Sequence, residues 1–178
     1  MHTHFMDKLR KYDIVFSGLK DGKHSFQFEA DQEFFKQFDT EQEFTNPRII
    51  ADVLMEKHST FLEFWIRTSG TVNLVCDISN ENFDYPIDHT IKVLVKFGEE
   101  YDDSEEDVIT IPQHDHAFNA AQLIYEDVML SVPMKKISPD IPEETLQELE
   151  KYSAQEEKTE EPENDPRWDA LKKLRDKN

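Results

Sequence analysis

Between Gly70 and Gly98 the chain alternates apolar and polar positions most regularly. Val72, Leu74 and Cys76 alternate with Thr71, Asn73 and Val75, the period of two that predicts a strand with one buried face. Asp77 to Glu81 predicts a turn, after which Ile87, His89, Ile91, Val93, Val95 and Phe97 share one face while Lys92 and Lys96 point the other way. Gly98 ends that strand, and Glu99 to Asp107 reads as a solvated acidic loop. Upstream, Tyr12, Ile14 and Phe16 alternate with Asp13 and Val15, and Phe26 and Phe28 with Gln27 and Glu29. Lys20-Asp21-Gly22 between them predicts a hairpin with an Asp-Gly corner. Asp31 can cap a short helix that sets Phe34, Phe35 and Phe38 on one side. These phenylalanines read as core rather than as a platform for bases, because few of the chain's aromatic side chains lie beside a positive charge.

Three apolar segments follow: Ile49 to Met55, Phe61 to Ile66 and Thr71 to Cys76. Their short connections, Lys57-His58-Ser59 and Ser69-Gly70, predict antiparallel neighbours. One more strand spans Asp107 to Pro112. Ala117, Ala121, Ile124 and Val128 then recur at helical spacing, with Glu126 and Asp127 read as facing outward and Pro133 forbidding extension. This main helix is expected to lie across the sheet. The predicted class is therefore α+β: a mainly antiparallel sheet or open barrel with one main helix packed on it.

Composition separates the end of the chain from its middle. Of 178 residues 37% are hydrophobic and 33% charged, with a net charge of −19. Residues 1–98 hold 11 Lys/Arg against 16 Asp/Glu, whereas residues 99–178 hold 9 against 23. From Glu143 to Glu163 there are nine glutamates against Lys151 and Lys158. Leu146 and Leu149 offer too little apolar surface to offset the entropy of ordering, so a mobile acidic tether is predicted. It ends in a different pattern. Asp165 is a capping residue, Pro166 suits a first helical turn, Trp168, Leu171 and Leu174 line one side, and Lys172, Lys173, Arg175 and Lys177 make the end basic. The expected organisation is a mobile N-terminus over 1–11, an α+β core over 12–140, an acidic flexible tether over 141–164 and a short amphipathic helix over 165–178.

Candidate chemistry is sparse. One cysteine excludes an internal disulfide and fits a reducing compartment. No apolar run reaches the length of a membrane span, and Met1 to Tyr12 lacks the apolar stretch of a signal, so a cytoplasmic location is expected. His114-Asp115-His116 resembles part of a metal set but lacks a further ligand, and His2 and His4 sit at a terminus. The carboxylates around Tyr101 form a run rather than a converging pair. With four glycines and no Gly-x-Ser-x-Gly or His-Glu-x-x-His pattern, neither a nucleotide cradle nor a hydrolase elbow is expected. No catalytic residue, metal or cofactor is assigned.

Several segments together carry a resemblance. Phe16-Ser17-Gly18-Leu19-Lys20-Asp21-Gly22 with Phe26 and Phe28, Gly70-Thr71-Val72 leading to Cys76-Asp77, Val95-Lys96-Phe97-Gly98-Glu99, Ile124-Tyr125-Glu126 through Leu130 and Pro133, and Asp165-Pro166-Arg167-Trp168 resemble the YceD-type family. The likeness spans roughly residues 12–138 and 165–175. Members are called large ribosomal RNA subunit accumulation proteins, typically encoded in bacteria beside a small protein of the large subunit. Many carry a Cys-x-x-Cys pair where this chain has Cys76-Asp77-Ile78-Ser79, and a histidine where it has Ser138. Cys76 is accordingly read as a buried strand residue.

The resemblance implies a non-enzymatic factor for accumulation or processing of large-subunit ribosomal RNA. The acidic surface suggests a basic protein of the large subunit, or a pre-ribosomal particle, as partner, since a net negative chain repels a polyanion. Asp165, Pro166, Arg167, Trp168, Leu171, Leu174, Tyr125 and Glu126 are the candidate partner contacts. Direct RNA contact is left open, and neither a membrane nor a small-molecule substrate is expected. The competing readings are a metal-dependent nuclease using clustered carboxylates and an acidic adaptor unrelated to ribosomes.

Overall fold

The computed structural model describes residues 9–38, 40–105 and 107–152, with side chains described as far as residue 147. It divides into units 1–137 and 138–178.

Long strands dominate the first unit. A 3₁₀ turn at Arg10–Tyr12 leads into β1 (Asp13–Val15), β2 (Gly22–Ala30), α1 (Gln32–Phe35), β3 (Thr45–Lys57), β4 (Phe61–Val75), β5 (Asn82–Gly98), β6 (Asp102–Glu105), β7 (Val108–Pro112), β8 (Ala117–Asn119) and α2 (Ala121–Ser131). Six strands form one open sheet in the order β2-β3-β4-β5-β7-β6, and β1 pairs with β8 in a separate ribbon. All neighbours are antiparallel except β5 and β7, which run parallel. This is the expected α+β class, as an open mixed sheet.

Alternation sets the two faces of the sheet. Val53, Met55, Leu62, Phe64, Ile66, Val93 and Val95 are buried, whereas Asp52, Arg67 and Lys96 are exposed on the opposite face. Each large apolar side chain removed from water contributes on the order of 2 kcal/mol. The buried face is covered by the ribbon, α1 and α2. Phe118 of β8 meets Phe64 at 4.9 Å, and Phe35 of α1 meets Tyr125 of α2 at 6.0 Å. The Asp31 carboxylate accepts from the Phe34 amide at 3.0 Å, so the predicted cap on α1 is present.

Several expectations are corrected. The Asp-Gly hairpin does not form: β1 pairs with β8 and β2 with β3, because three residues of β1 end before the corner and Gly18 turns the chain away at φ 84. Ser69-Gly70 is not a turn but the interior of β4, which runs unbroken to Val75. There β3 carries a bulge between Thr45 and Arg48, and the backbone of Arg48 comes so close that a Cβ on Gly70 would stand 1.9 Å from its carbonyl oxygen. Glycine is required by that approach, not by a corner. Asp102–Glu105, read as loop, is an edge strand paired with β7, and its wholly exposed acidic side chains discourage another chain from adding to the edge. Ala117 belongs to β8 rather than the helix. Leu9, within the stretch expected to be mobile, is buried and its carbonyl accepts from Asn119 Nδ2 at 2.9 Å.

In the second unit Glu143–Tyr152 is helix α3, where an unstructured tether was expected. The Thr145 and Leu146 amides both reach the Pro142 carbonyl, and Glu143 and Glu144 stand in the first turn where the helix dipole favours negative charge. The expected tether beyond 152, the helix over 165–178 and the histidines His2 and His4 lie outside the described residues.

Candidate functional site

Helix α2 lies against β4 and β5, and space remains between it and the β6-β7 hairpin above the buried Ile109 and Ile111. The result is a cleft of about 1150 Å³. Its floor is apolar, from Ile91 and Val93 of β5 and Ile109 and Ile111 of β7, and its walls come from α2, the β6-β7 hairpin and the β1-β8 ribbon. Carboxylates ring it: Asp13, Asp103, Glu105, Asp107, Asp115, Glu126 and Asp127 line the cleft, against the cationic or titratable Arg10, His89 and His116. Tyr101 and Leu130 are 59% and 87% exposed, placing two large apolar surfaces at its rim.

The hairpin wall follows from local sequence. Asp107 adopts a positive φ of 61, which acidic side chains tolerate better than most, and reverses the chain between β6 and β7. The Tyr101 hydroxyl donates to Asp103 Oδ2 at 3.3 Å. Partial desolvation, then the neighbouring Asp103 charge, pushes that phenol above its ordinary pKa. Asp102 is held below the usual carboxylate range by its hydrogen bonds with Ser104.

At the helix wall Asp127 is 2% exposed, although the sequence reading turned it outward. Its place three residues after Ile124 and four before Ser131 explains the burial, since residues three and four apart share a helix face. Thr68 Oγ1 donates to Asp127 Oδ2, and His89 Nδ1 lies 2.5 Å from Asp127 Oδ1. The carboxylate thus stands between hydroxyl and imidazole. In a hydrolytic triad the imidazole occupies the middle and activates the hydroxyl, whereas here the hydroxyl proton is committed to the carboxylate. The arrangement ties α2 to two strands.

The predicted partner contacts divide. Glu126 faces the cleft, while Tyr125 is 8% exposed and stacks on Phe38 with ring centroids 3.9 Å apart. Tyr125 is a core residue, and its hydroxyl meets Thr40 Oγ1. Asp165, Pro166, Arg167, Trp168, Leu171 and Leu174 lie outside the described residues. Cys76 is buried at 1% exposure, beside a turn in which the Asp77 amide and carboxylate clasp the carbonyl and amide of Lys136, both at 2.7 Å. Ser79 is exposed and its hydroxyl accepts from the Glu81 amide. His114 and Asp115 are 3.8 Å apart, and no third ligand joins them among the described residues. No described helix is long and apolar enough to cross a membrane.

The family model for Large ribosomal RNA subunit accumulation protein YceD matches residues 65–175. The chain belongs to the YceD family. The matched stretch runs from the middle of β4 through α2 and beyond, and includes every carboxylate of the cleft except Asp13. The YceD description connects the family with accumulation of large-subunit ribosomal RNA. No curated protein and no solved structure matches the chain.

Proposed function

We propose that this YceD chain supports accumulation of large-subunit ribosomal RNA without catalysis, by holding a basic protein of the large subunit, or of a pre-ribosomal particle, in the acidic cleft. The observation that carries the reading is the joining of an apolar floor to a ring of six accessible carboxylates, Asp13, Asp103, Glu105, Asp107, Asp115 and Glu126, with the buried Asp127 beneath them. Lysine and arginine side chains satisfy such a ring with their charged heads while their stems cover apolar surface. A polyanion meets the same ring as repulsion, so RNA is reached through the held protein rather than by the cleft itself. The cytoplasm, where such a partner is made and assembled, is the expected place of action.

The test is direct titration of the full chain with purified basic proteins of the large subunit. Asp103→Lys and Glu126→Lys should each weaken the complex by at least about tenfold, since a like charge then faces the partner. Undiminished affinity in both variants argues against the cleft. Ribosome profiles supply the cellular arm: cells lacking the protein should show depleted large subunits, and unchanged subunit levels and precursor RNA refute the reading.

A further inference from the structure

The face of the sheet opposite α2 carries a second cluster, at the β3-β4 hairpin. Glu56 and Glu63 are directly opposed in the strand register, an arrangement in which like charges repel. His58 follows β3 and leans over Phe61, with ring centroids 4.3 Å apart, and its amide donates to the Phe61 carbonyl at 3.0 Å. One ligand atom from each of Glu56, His58 and Glu63 lies within 4.8 Å of the others. His58 Nε2 is buried and makes no hydrogen bond, although Glu63 Oε2 is only 3.4 Å away: the pair is close but poorly aligned. That nitrogen is buried although the His58 side chain as a whole is 36% exposed, so it faces the two carboxylates rather than water.

We propose that Glu56, His58 and Glu63 form a binding site for a divalent first-row transition-metal ion, zinc being the probe of choice. One imidazole nitrogen and two carboxylate oxygens suit zinc, manganese or ferrous iron. Bonds of about 2.0–2.2 Å hold tetrahedral ligand atoms about 3–4 Å apart, a contraction that modest rotation of two glutamate side chains supplies. The hairpin clasp and the Phe61 stack hold the imidazole in place while the carboxylates adjust. Lys92 Nζ meets Glu63 Oε1 at 3.1 Å, on the other oxygen from the one facing His58, and Lys23 Nζ stands 3.9 Å from Glu56 Oε2. The ion would join two neighbouring strands and quiet the repulsion between their glutamates. Three protein ligands leave a position for water or for a group from a partner. In the sequence Lys57-His58-Ser59 shows only a connection; the register that brings Glu63 beside His58 comes from the fold.

The experiment is calorimetric titration of chelator-treated full chain with zinc, with cobalt absorption as a second readout. One equivalent is expected, with His58→Ala weakening it by about 100-fold and Glu63→Gln or Glu56→Gln by at least about tenfold. Zinc should raise the melting temperature of the wild type but not of His58→Ala. Metal-free melting of each variant shows that it folds. His114→Ala and His2→Ala serve as controls and should bind as the wild type does. Affinity no tighter than about 1 mM, or binding that survives His58→Ala, overturns the proposal, leaving His58 as a bridge between the two glutamates without an ion. The cleft and its partner are untouched by either result, because these three residues do not line it.

Discussion

His89 of β5 and Asp127 of α2 meet at 2.5 Å, and the same carboxylate takes the hydroxyl of Thr68 on β4. One buried side chain therefore fixes how the helix sits on the sheet, and with it the width of the cleft. Asp127→Ala should destabilise the fold by about 2 kcal/mol, because it leaves the buried Thr68 hydroxyl without its acceptor. Glu126→Ala, next to it but exposed, should change stability by less than about 0.5 kcal/mol. Urea unfolding of the two variants checks the contrast, and equal small effects would show that the carboxylate does not hold the helix.

The same residue shows what the sequence discloses and what it hides. Period-two alternation is legible in β3, β4 and β5, because strands with one buried face write their geometry into the chain. The capped aromatic turn at Asp31 is legible too. The polarity of Asp127 points outward in the sequence, though Ile124, three residues before it, sets it on the buried face. Pairing is harder to read: the short β1 finds β8 about a hundred residues away, and the acidic β6 acquires strand geometry only by lying beside β7. Alternation gives no signal for either partner. The cleft is likewise a tertiary product, since its carboxylates come from both ends of the core and from α2.

Gly70 offers a sharper test of the strand crossing. It has a φ of 150, and an added Cβ would meet backbone, the Arg48 carbonyl oxygen at 1.9 Å, which cannot swing aside as a side chain can. Gly70→Ala should cost at least about 2 kcal/mol. Gly98→Ala meets only the Thr110 methyl, at 2.5 Å, and should cost less, because a side chain can rotate away. Thermal melts of both variants decide the order, and a Gly70→Ala protein as stable as the wild type would mean that β3 and β4 do not approach so closely.

Cys76 separates a packing role from a chemical one. It is buried beside the turn held by Asp77 and Lys136. Cys76→Ala should lower stability by about 1 kcal/mol through lost contacts and leave partner capture unchanged. Loss of capture in a folded Cys76→Ala protein would assign the thiol a function that its burial does not suggest.

Salt distinguishes an electrostatic partner from an apolar one. The carboxylates at the cleft rim act through partly exposed charges, which are screened beyond about 8 Å at physiological ionic strength. Capture of a basic large-subunit protein should therefore weaken steeply as salt rises, chiefly through slower association. An affinity unchanged between low and high salt would shift the weight of binding to the floor of Ile91, Val93, Ile109 and Ile111.

The final stretch is the remaining candidate for partner contact. After nine glutamates between residues 143 and 163 the chain places Asp165, Pro166, Trp168, Leu171 and Leu174, a cap, a helix-starting residue and three apolar side chains at helical spacing. The YceD match extends over all of them, to residue 175, so they are part of the family pattern rather than an appendage to it. A docked tryptophan buries more apolar area than any other side chain there, and such anchors dominate small interfaces. Trp168→Ala should abolish partner capture while residues 12–138 keep their stability, and Leu171→Ala and Leu174→Ala should have smaller effects. If the segment instead packs on its own core, Trp168→Ala lowers stability by about 3 kcal/mol, as a core truncation does. Unfolding and capture measured side by side on that one variant separate these outcomes, and a variant unaffected in both assays leaves Trp168 with neither role.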